Sequence, residues 1–189
     1  MVAGIANVEK KCKMAFTSHM LFPDVAVLDP RMTMTVPPRI TAATGMDALA
    51  HAIEAFSCLQ KNPLSDGYAF KAIDLIRQYL IRTVKNGKDE EARMAMANAS
   101  LLAGCAFSNS MVGIIHSIGH ACGGVCGVPH GMAMAILLPW GMEYNMKKSA
   151  DYYAELLLPL AGPEVYSQTV PEKRTEQSVY AVRQLNSTL

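Results

Sequence analysis

The residues best suited to chemistry begin with an acid and a histidine four positions apart in the segment GMDALAHAIEAFSC. Asp47, His51, Glu54 and Cys58 follow an i, i+4, i+7, i+11 spacing, which places them in one stripe along a helix. Nearly all positions between them are apolar, so the polar stripe is narrow. For an Asp–His pair alone, the solvent-exposed face of an ordinary amphipathic helix would be the better explanation.

A second group of histidines lies in a segment that has no charged residue. The stretch 94–142 contains His116, His120 and His130 but no Asp, Glu, Lys or Arg. Such a stretch predicts a buried core, where an unpaired imidazole costs about 1–3 kcal/mol. A lone histidine there is more often hydrogen-bonded to a carbonyl group. Three of them, together with the upstream Asp–His pair, favour a bound metal ion instead.

The donor types in these two segments suit a divalent transition metal. Imidazole nitrogens with one carboxylate suit Fe(II), Zn(II) or related ions, because nitrogen donors hold the metal and the anionic oxygen offsets part of its charge. A histidine after the glycine-rich reversal 123–129 brings a ligand from a different direction. Cys122 and Cys126 have a CxxxC spacing that could also bind metal. Without a second cysteine pair, small buried thiols are the better interpretation.

Capping and turn signals delimit the helices that must position these residues. We predict helices over these segments: Ala42 to Cys58 with Thr41 as its cap, Asp66 to about Asn86, Asp89 to about Asn109, Met111 to about Cys122, Gly131 to Lys148 with a bend at Pro139, and Asp151 to Leu160. Pro37–Pro38 is interpreted as excluding an earlier start for the first helix. A last amphipathic helix could cover Glu172 to Leu185, and Val25 to Leu28 is a predicted strand. The fold class is therefore a mainly α-helical bundle with one short N-terminal strand.

Composition restricts the class of protein. The chain has 189 residues, about half of them apolar, with 17% charged residues and a net charge of +1, which predicts one globular domain and no nucleic-acid partner. Five cysteines, an odd number, favour a reducing, cytoplasmic location. No secretory signal is found in Met1 to Phe16. The longest apolar run, Met132 to Gly141, is about half of what a membrane span needs, so we expect a soluble protein.

Two longer segments carry a resemblance to a known family. The segments PPRITAATGMDALAHAIEA and GIIHSIGHACGGVCGVPHGMAMAILLPWGMEYN resemble the two signature regions of the iron-containing, group III alcohol dehydrogenases. The match runs from about Glu9 to about Tyr153. The resemblance implies a helical bundle like the C-terminal domain of the dehydroquinate synthase-like, iron alcohol dehydrogenase fold.

The resemblance also implies a ligand set. In that family an Asp and a His four apart, and two further histidines, bind the metal, and the matching positions are Asp47, His51, His116 and His130. Fe(II) is the implied ion, with Zn(II) as an alternative.

Two further residues acquire expected roles from the same resemblance. His120 matches a position near substrate and nicotinamide, where a proton relay and a packing or supporting role are both open. Lys13 matches a lysine that contacts the cofactor, which would be NAD or NADP in the complete enzyme. We expect a small alcohol or aldehyde as the substrate.

The chain also departs from the family pattern. Family members are about twice this length, and their N-terminal dinucleotide-binding domain has a GGGS turn that does not occur here. We therefore interpret residues 1–30 as the remnant of a linker and last strand of that domain, 31–162 as the helical metal-binding domain, and 163–189 as a polar C-terminal segment.

Two functions remain open at this stage. The first is metal-dependent interconversion of alcohol and aldehyde with hydride transfer to NAD(P), by an enzyme of which this chain is the metal-binding half, inactive alone. The alternative is a non-catalytic metal-binding module, or pseudoenzyme, that binds a protein partner. No membrane partner is expected, but an apolar face left without its domain partner predicts a homo-oligomer.

Overall fold

The computed structural model describes residues 2–7 and 9–189, and over this range the architecture is a helical bundle preceded by one β-hairpin. The elements are β1 (Val2–Asn7), β2 (Cys12–Thr17), α1 (Pro38–Ser57), α2 (Pro63–Lys85), α3 (Glu90–Ser110), α4 (Ile114–Cys126), α5 (His130–Ala161), α6 (Pro163–Gln168) and α7 (Arg174–Thr188). Short 3-10 turns occur at His19–Leu21, Pro30–Thr33 and Pro171–Lys173. The mainly α-helical fold class predicted from the sequence is confirmed.

The strand predicted at Val25 to Leu28 is wrong. That segment is irregular, and Val25 and Val27 are 74% and 84% exposed. The strands are instead β1 and β2, which pair antiparallel in a two-stranded sheet. β-Branched residues favour a strand only when a neighbouring strand and a packed face stabilise it, and in the described part of the chain Val25 to Leu28 has neither.

Several helix boundaries differ from those predicted. α1 begins at Pro38 and not at Ala42, because proline at the first helical position loses no hydrogen bond. α2 begins at Pro63, since the side chain of Asn62 caps it and accepts hydrogen bonds from two backbone amides. The prediction of Asp89 as the start of α3 is confirmed, as its carboxylate caps that helix.

The later helices are longer than predicted. α4 continues through Gly123 and Gly124 and stops only at Gly127, whose φ of 66° is the left-handed conformation that ends helices. α5 passes through Pro139 with helical backbone angles, and its one non-helical residue is Ser149. Ser149 lies between the two helices predicted for this region, so the predicted break between them is confirmed. The predicted bend at Pro139 is not confirmed.

α1 is the central helix of the bundle. It contacts α2, α3, α4 and α5, and most of its residues beyond Gly45 are buried. Its polar residues on one side therefore face neighbouring helices and not water. No single helix among the described residues is long and apolar enough to span a membrane; α3 and α4 meet that test only as a pair, bent by 105°.

A buried arginine fixes the start of α1. Arg93 in α3 is 4% exposed and donates hydrogen bonds to the carbonyl oxygens of Gly87 and Val36 and to the hydroxyl of Thr41. Burial lowers the pKa of its guanidinium, and these three hydrogen-bond acceptors are all neutral. The contact ties α3 to the segment from which α1 begins.

The contact between α1 and α5 can be tested with a pair of glycine substitutions. In Gly131→Ala the added methyl would lie 2.5 Å from the carbonyl oxygen of Ala43, a backbone atom that cannot rotate away. We expect the free energy of unfolding to fall by about 1–3 kcal/mol, measured by urea denaturation. The control Gly67→Ala meets no atom within 4 Å and should raise it by about 0.5–1 kcal/mol. Equal effects of the two substitutions would contradict this close packing.

Candidate metal centre

Three helices bring the candidate donor side chains to one point. Asp47 lies in the middle of α1, and one of its carboxylate oxygens, Oδ1, is close to ring nitrogens of three histidines. The distances are 3.7 Å to His51 Nδ1, 3.6 Å to His116 Nε2 and 3.3 Å to His130 Nε2. The two segments that the sequence singled out separately therefore meet around one carboxylate.

The tightest group of donors has three members. Asp47, His51 and His116 each offer one ligand atom, and these atoms all lie within 4.8 Å of one another. His130, the first residue of α5, does not join that mutual set, although its Nε2 is near Asp47. Its ring centroid is 5.6 Å from that of His116, so it borders the group on one side.

Several polar atoms at this point are buried and lack a hydrogen-bond partner among the described residues. They include Asp47 Oδ1 and His116 Nε2, which face each other, and also His130 Nδ1. Buried polar atoms in folded proteins are nearly always hydrogen-bonded, so such a group needs another explanation. A divalent ion accepts lone pairs from both a carboxylate oxygen and an imidazole nitrogen, and the donor set fits one.

The ring of His51 is held in a defined orientation. Its Nδ1 lies 3.0 Å from the carbonyl oxygen of Asp47, one helical turn earlier, and must donate because a carbonyl only accepts. The lone pair of Nε2 is then free for another partner. The ring stacks on Phe107 of α3, with centroids 4.5 Å apart, so packing and hydrogen bonding together orient this donor.

The ring of His116 is held by Glu54. Both side chains are 3% exposed, and His116 Nδ1 lies 2.5 Å from Glu54 Oε2. The same carboxylate accepts hydrogen bonds from the backbone amides of Ile115 and His116 at 2.8 and 3.3 Å. The sequence placed Glu54 in the polar stripe without assigning it a role. The i+7 spacing from Asp47 was the only signal for it.

The charges of the site are strongly coupled in the metal-free chain. Burial alone would raise the pKa of Asp47, but the rings of His116 and His130 beside its carboxylate hold that pKa well below its usual range. Burial opposes a charge on His116, yet the nearby carboxylates of Asp47 and Glu54 raise its pKa to about 9. Burial and the charge of His116 lower the pKa of His51 to about 4.

His120 and Lys13 lie beside this group and outside it. The half-buried ring of His120 is 5.1 Å from the ring of His130 and 6.1 Å from that of His116, measured between centroids. Burial, and then the charge of Lys13, lower the pKa of His120 to about 4. β2, which carries Lys13, contacts α4. Neither cysteine of the CxxxC motif is fully buried, contrary to the expectation: Cys122 is partly buried, Cys126 is exposed, and both are free thiols.

The chain is similar to known proteins in both sequence and structure. The model of the Fe-containing alcohol dehydrogenase family, C-terminal, matches residues 41–189. Alcohol dehydrogenase 4 of Saccharomyces cerevisiae is 42% identical over 187 residues, which cover 98% of this chain and 47% of the yeast protein. The 1,3-propanediol dehydrogenase of Klebsiella pneumoniae is 41% identical over 152 residues, covering 80% of this chain and 39% of that protein.

The fold agrees with solved structures. A crystal structure of 1,3-propanediol oxidoreductase superposes with a TM-score of 0.92 and 35% sequence identity, covering 99% of this chain and 48% of that one. The chain thus spans about half the length of the curated relatives that it matches.

The donor set predicts that divalent ions stabilise the folded chain. Zn(II) at a free concentration about 100 times its dissociation constant should add about 2.7 kcal/mol to the free energy of unfolding, because only the folded state assembles the donors. Thermal unfolding measured with Zn(II), and again after EDTA, checks this. Asp47→Asn should abolish the gain, whereas Asp151→Asn, at an exposed acid of α5, should keep it. A wild-type chain insensitive to Zn(II) would contradict the prediction.

Proposed function

Because the chain belongs to the iron-containing alcohol dehydrogenase family, we propose that it is the metal-binding half of an NAD(P)-dependent alcohol dehydrogenase. The observation that carries the proposal is the meeting of Asp47, His51 and His116 within 4.8 Å, with buried donor atoms that lack partners among the described residues. The length of the chain, about half that of its relatives, supports it.

We assign Asp47, His51, His116 and His130 as the ligands of one Fe(II) ion, with Zn(II) as the alternative. The carboxylate of Asp47 supplies negative charge, which a cluster of neutral imidazoles lacks. When bound, the ion supplies Lewis-acid chemistry that stabilises negative charge developing on the oxygen of an alcohol. His51, with its Nδ1 hydrogen-bonded and its ring stacked on Phe107, brings its donor nitrogen to the site without loss of conformational freedom on binding.

We propose that His120 exchanges a proton with the substrate. Its lowered pKa keeps the ring neutral at neutral pH, so one ring nitrogen is free to accept a proton from an alcohol. Its partial exposure lets it pass that proton to water. Lys13, whose charge acts on His120, lies on the same side and is proposed to contact the nicotinamide cofactor.

The remaining features of the proposal concern the complete enzyme. A nicotinamide cofactor, NAD or NADP, would be held largely by the other half of the protein. The substrate would be a small alcohol or aldehyde. Residues 1–30 are proposed to belong to the linker and last strand of the nucleotide-binding domain, and residues 163–189 to follow the metal-binding domain. A cytoplasmic location and self-association stay predictions.

Substitution of single histidines tests the ligand assignment. His116→Ala and His130→Ala should each sharply reduce bound metal, because each removes a donor and leaves the charge of Asp47 less well balanced. His120→Ala, on the same helix as His116, should leave the metal content close to that of the wild type. Metal content per chain is measured by atomic emission after anaerobic loading with Fe(II). Full occupancy in both of the first two variants would mean that the ligands are misassigned.

Activity tests the role of the nucleotide-binding half of the proposed complete enzyme. Loaded with Fe(II) and given a short primary alcohol or propanediol with NAD or NADP, the 189-residue chain should show no turnover by nicotinamide absorbance. Hydride transfer needs donor and acceptor atoms about 3–3.5 Å apart, and such positioning is worth roughly 7–11 kcal/mol of barrier. Turnover of even about one per second would place the cofactor site within this chain.

Adding the preceding half of a relative in trans separates the two candidate functions. An enzyme half should regain turnover, and the matched His116→Ala chain should not. A chain that binds this half yet never turns over would favour the non-catalytic metal-binding module.

A further inference from the structure

We propose that Glu54 is a positioning residue that fixes the tautomer of His116, so that Nε2 presents its lone pair to the metal. The inference rests on the proposed metal site but concerns a residue outside the ligand set. Glu54 sits on α1 and His116 on α4, so the carboxylate couples two helices as well as two side chains.

The first support is the pattern of hydrogen bonds. Oε1 of Glu54 accepts from the backbone amide of Ile115, and Oε2 faces both the backbone amide and Nδ1 of His116. An ionised carboxylate only accepts. Its best partner is therefore a His116 ring whose proton is on Nδ1, and Nε2, the nitrogen 3.6 Å from Asp47, is the one left to bind the metal.

The second support is the position of His116 in its helix. His51 orients its ring by donating to the carbonyl four residues earlier, in the same helix. His116 is the third residue of α4, so the corresponding carbonyl, that of Val112, lies before the helix begins. The N-cap, Gly113, has no side chain to satisfy the free amides of the first turn. Glu54 meets both needs from a neighbouring helix.

The third support is the shape of the connector before α4. Met111 has φ 74° and ψ −176°, a strained conformation for a residue with a side chain. At Gly113 an added Cβ would lie 2.9 Å from Glu54 Oε1. The connector thus adopts a strained backbone conformation, and it places the first amides of α4 against the carboxylate of Glu54.

These contacts make Glu54→Gln an informative variant. It keeps the size of the side chain but replaces one acceptor oxygen with an NH₂ donor. If the amide oxygen stays on Ile115, the NH₂ group faces Nδ1 of His116 and favours a proton on Nε2, the wrong tautomer for the metal. If the amide turns over, the NH₂ group opposes the backbone amide of Ile115. Either arrangement opposes metal binding or the start of α4.

Metal affinity is the first readout. We expect Glu54→Gln to weaken Zn(II) binding about 10- to 100-fold, the usual effect of losing a partner behind a metal ligand, measured by competition with a chromophoric chelator. The matched control is Thr83→Val, an isosteric change at a fully buried, hydrogen-bonded residue of α2 away from the site. Thr83→Val should lower stability without changing affinity. Equal affinities of wild type and Glu54→Gln would overturn the proposal.

The ring protons of His116 are the second readout, and a purely structural role for Glu54 would not move them. With ¹⁵N-labelled histidine, the NMR spectrum should show a hydrogen-bonded proton on Nδ1 in the wild type, both metal-free and Zn(II)-loaded, and its loss in Glu54→Gln. A proton on Nε2 of the Zn(II)-loaded wild type would overturn the proposal, even if Glu54→Gln does not fold. A wild type that shows the Nδ1 proton but binds no metal would refute the proposed function alone.

Discussion

Two carboxylates on the central helix, that of Glu54 buried and that of Asp47 partly buried with its Oδ1 atom enclosed, are the constraint on which the rest of this structure depends. α1 is enclosed by four other helices, yet Asp47 and Glu54 project from the same side of it. A buried anion is stable only when hydrogen-bond donors or cations surround it. The first turns of α4 and α5 supply those donors, as backbone amides and as the rings of His116 and His130.

The two carboxylates have different contacts and different roles. Glu54 is saturated by donors from α4, so it links two helices and holds the ring of His116 in place. The Oδ1 atom of Asp47 has three histidine ring nitrogens at 3.3 to 3.7 Å. Among the described residues it has no hydrogen-bond partner. The contacts of Glu54 are thus structural, whereas the free oxygen of Asp47 suits a cation.

The N-terminal part of the chain is less regular and less buried than the helical bundle. A two-stranded hairpin alone is marginally stable in water, and here β2 rests on α4. The segment after it is irregular, with the exposed apolar residues Met20, Val25 and Val27. These features agree with the proposal that residues 1–30 are the linker and last strand of a nucleotide-binding domain.

The sequence by itself determined the helical class and predicted the candidate donor residues in two separate segments. These follow from local physics: i, i+4 spacing fixes which side chains share a helix face, and an uncharged stretch around His116 favours burial. Part of that stretch is nevertheless exposed, including Ile118, Val125 and Trp140. Cap chemistry likewise predicted the start of α3 at Asp89. The start of α1 was missed because proline signals both the end and the first turn of a helix.

Only the tertiary structure decided how the groups meet. The 3.3 Å approach of His130 to Asp47, and the pairing of Glu54 with His116, join residues far apart in the chain. No local spacing encodes such contacts, because they depend on how α1, α4 and α5 pack. The strand predicted at Val25 to Leu28 is absent for the same reason. β-Branched residues favour extended backbone, but a strand forms only where another strand lies beside it.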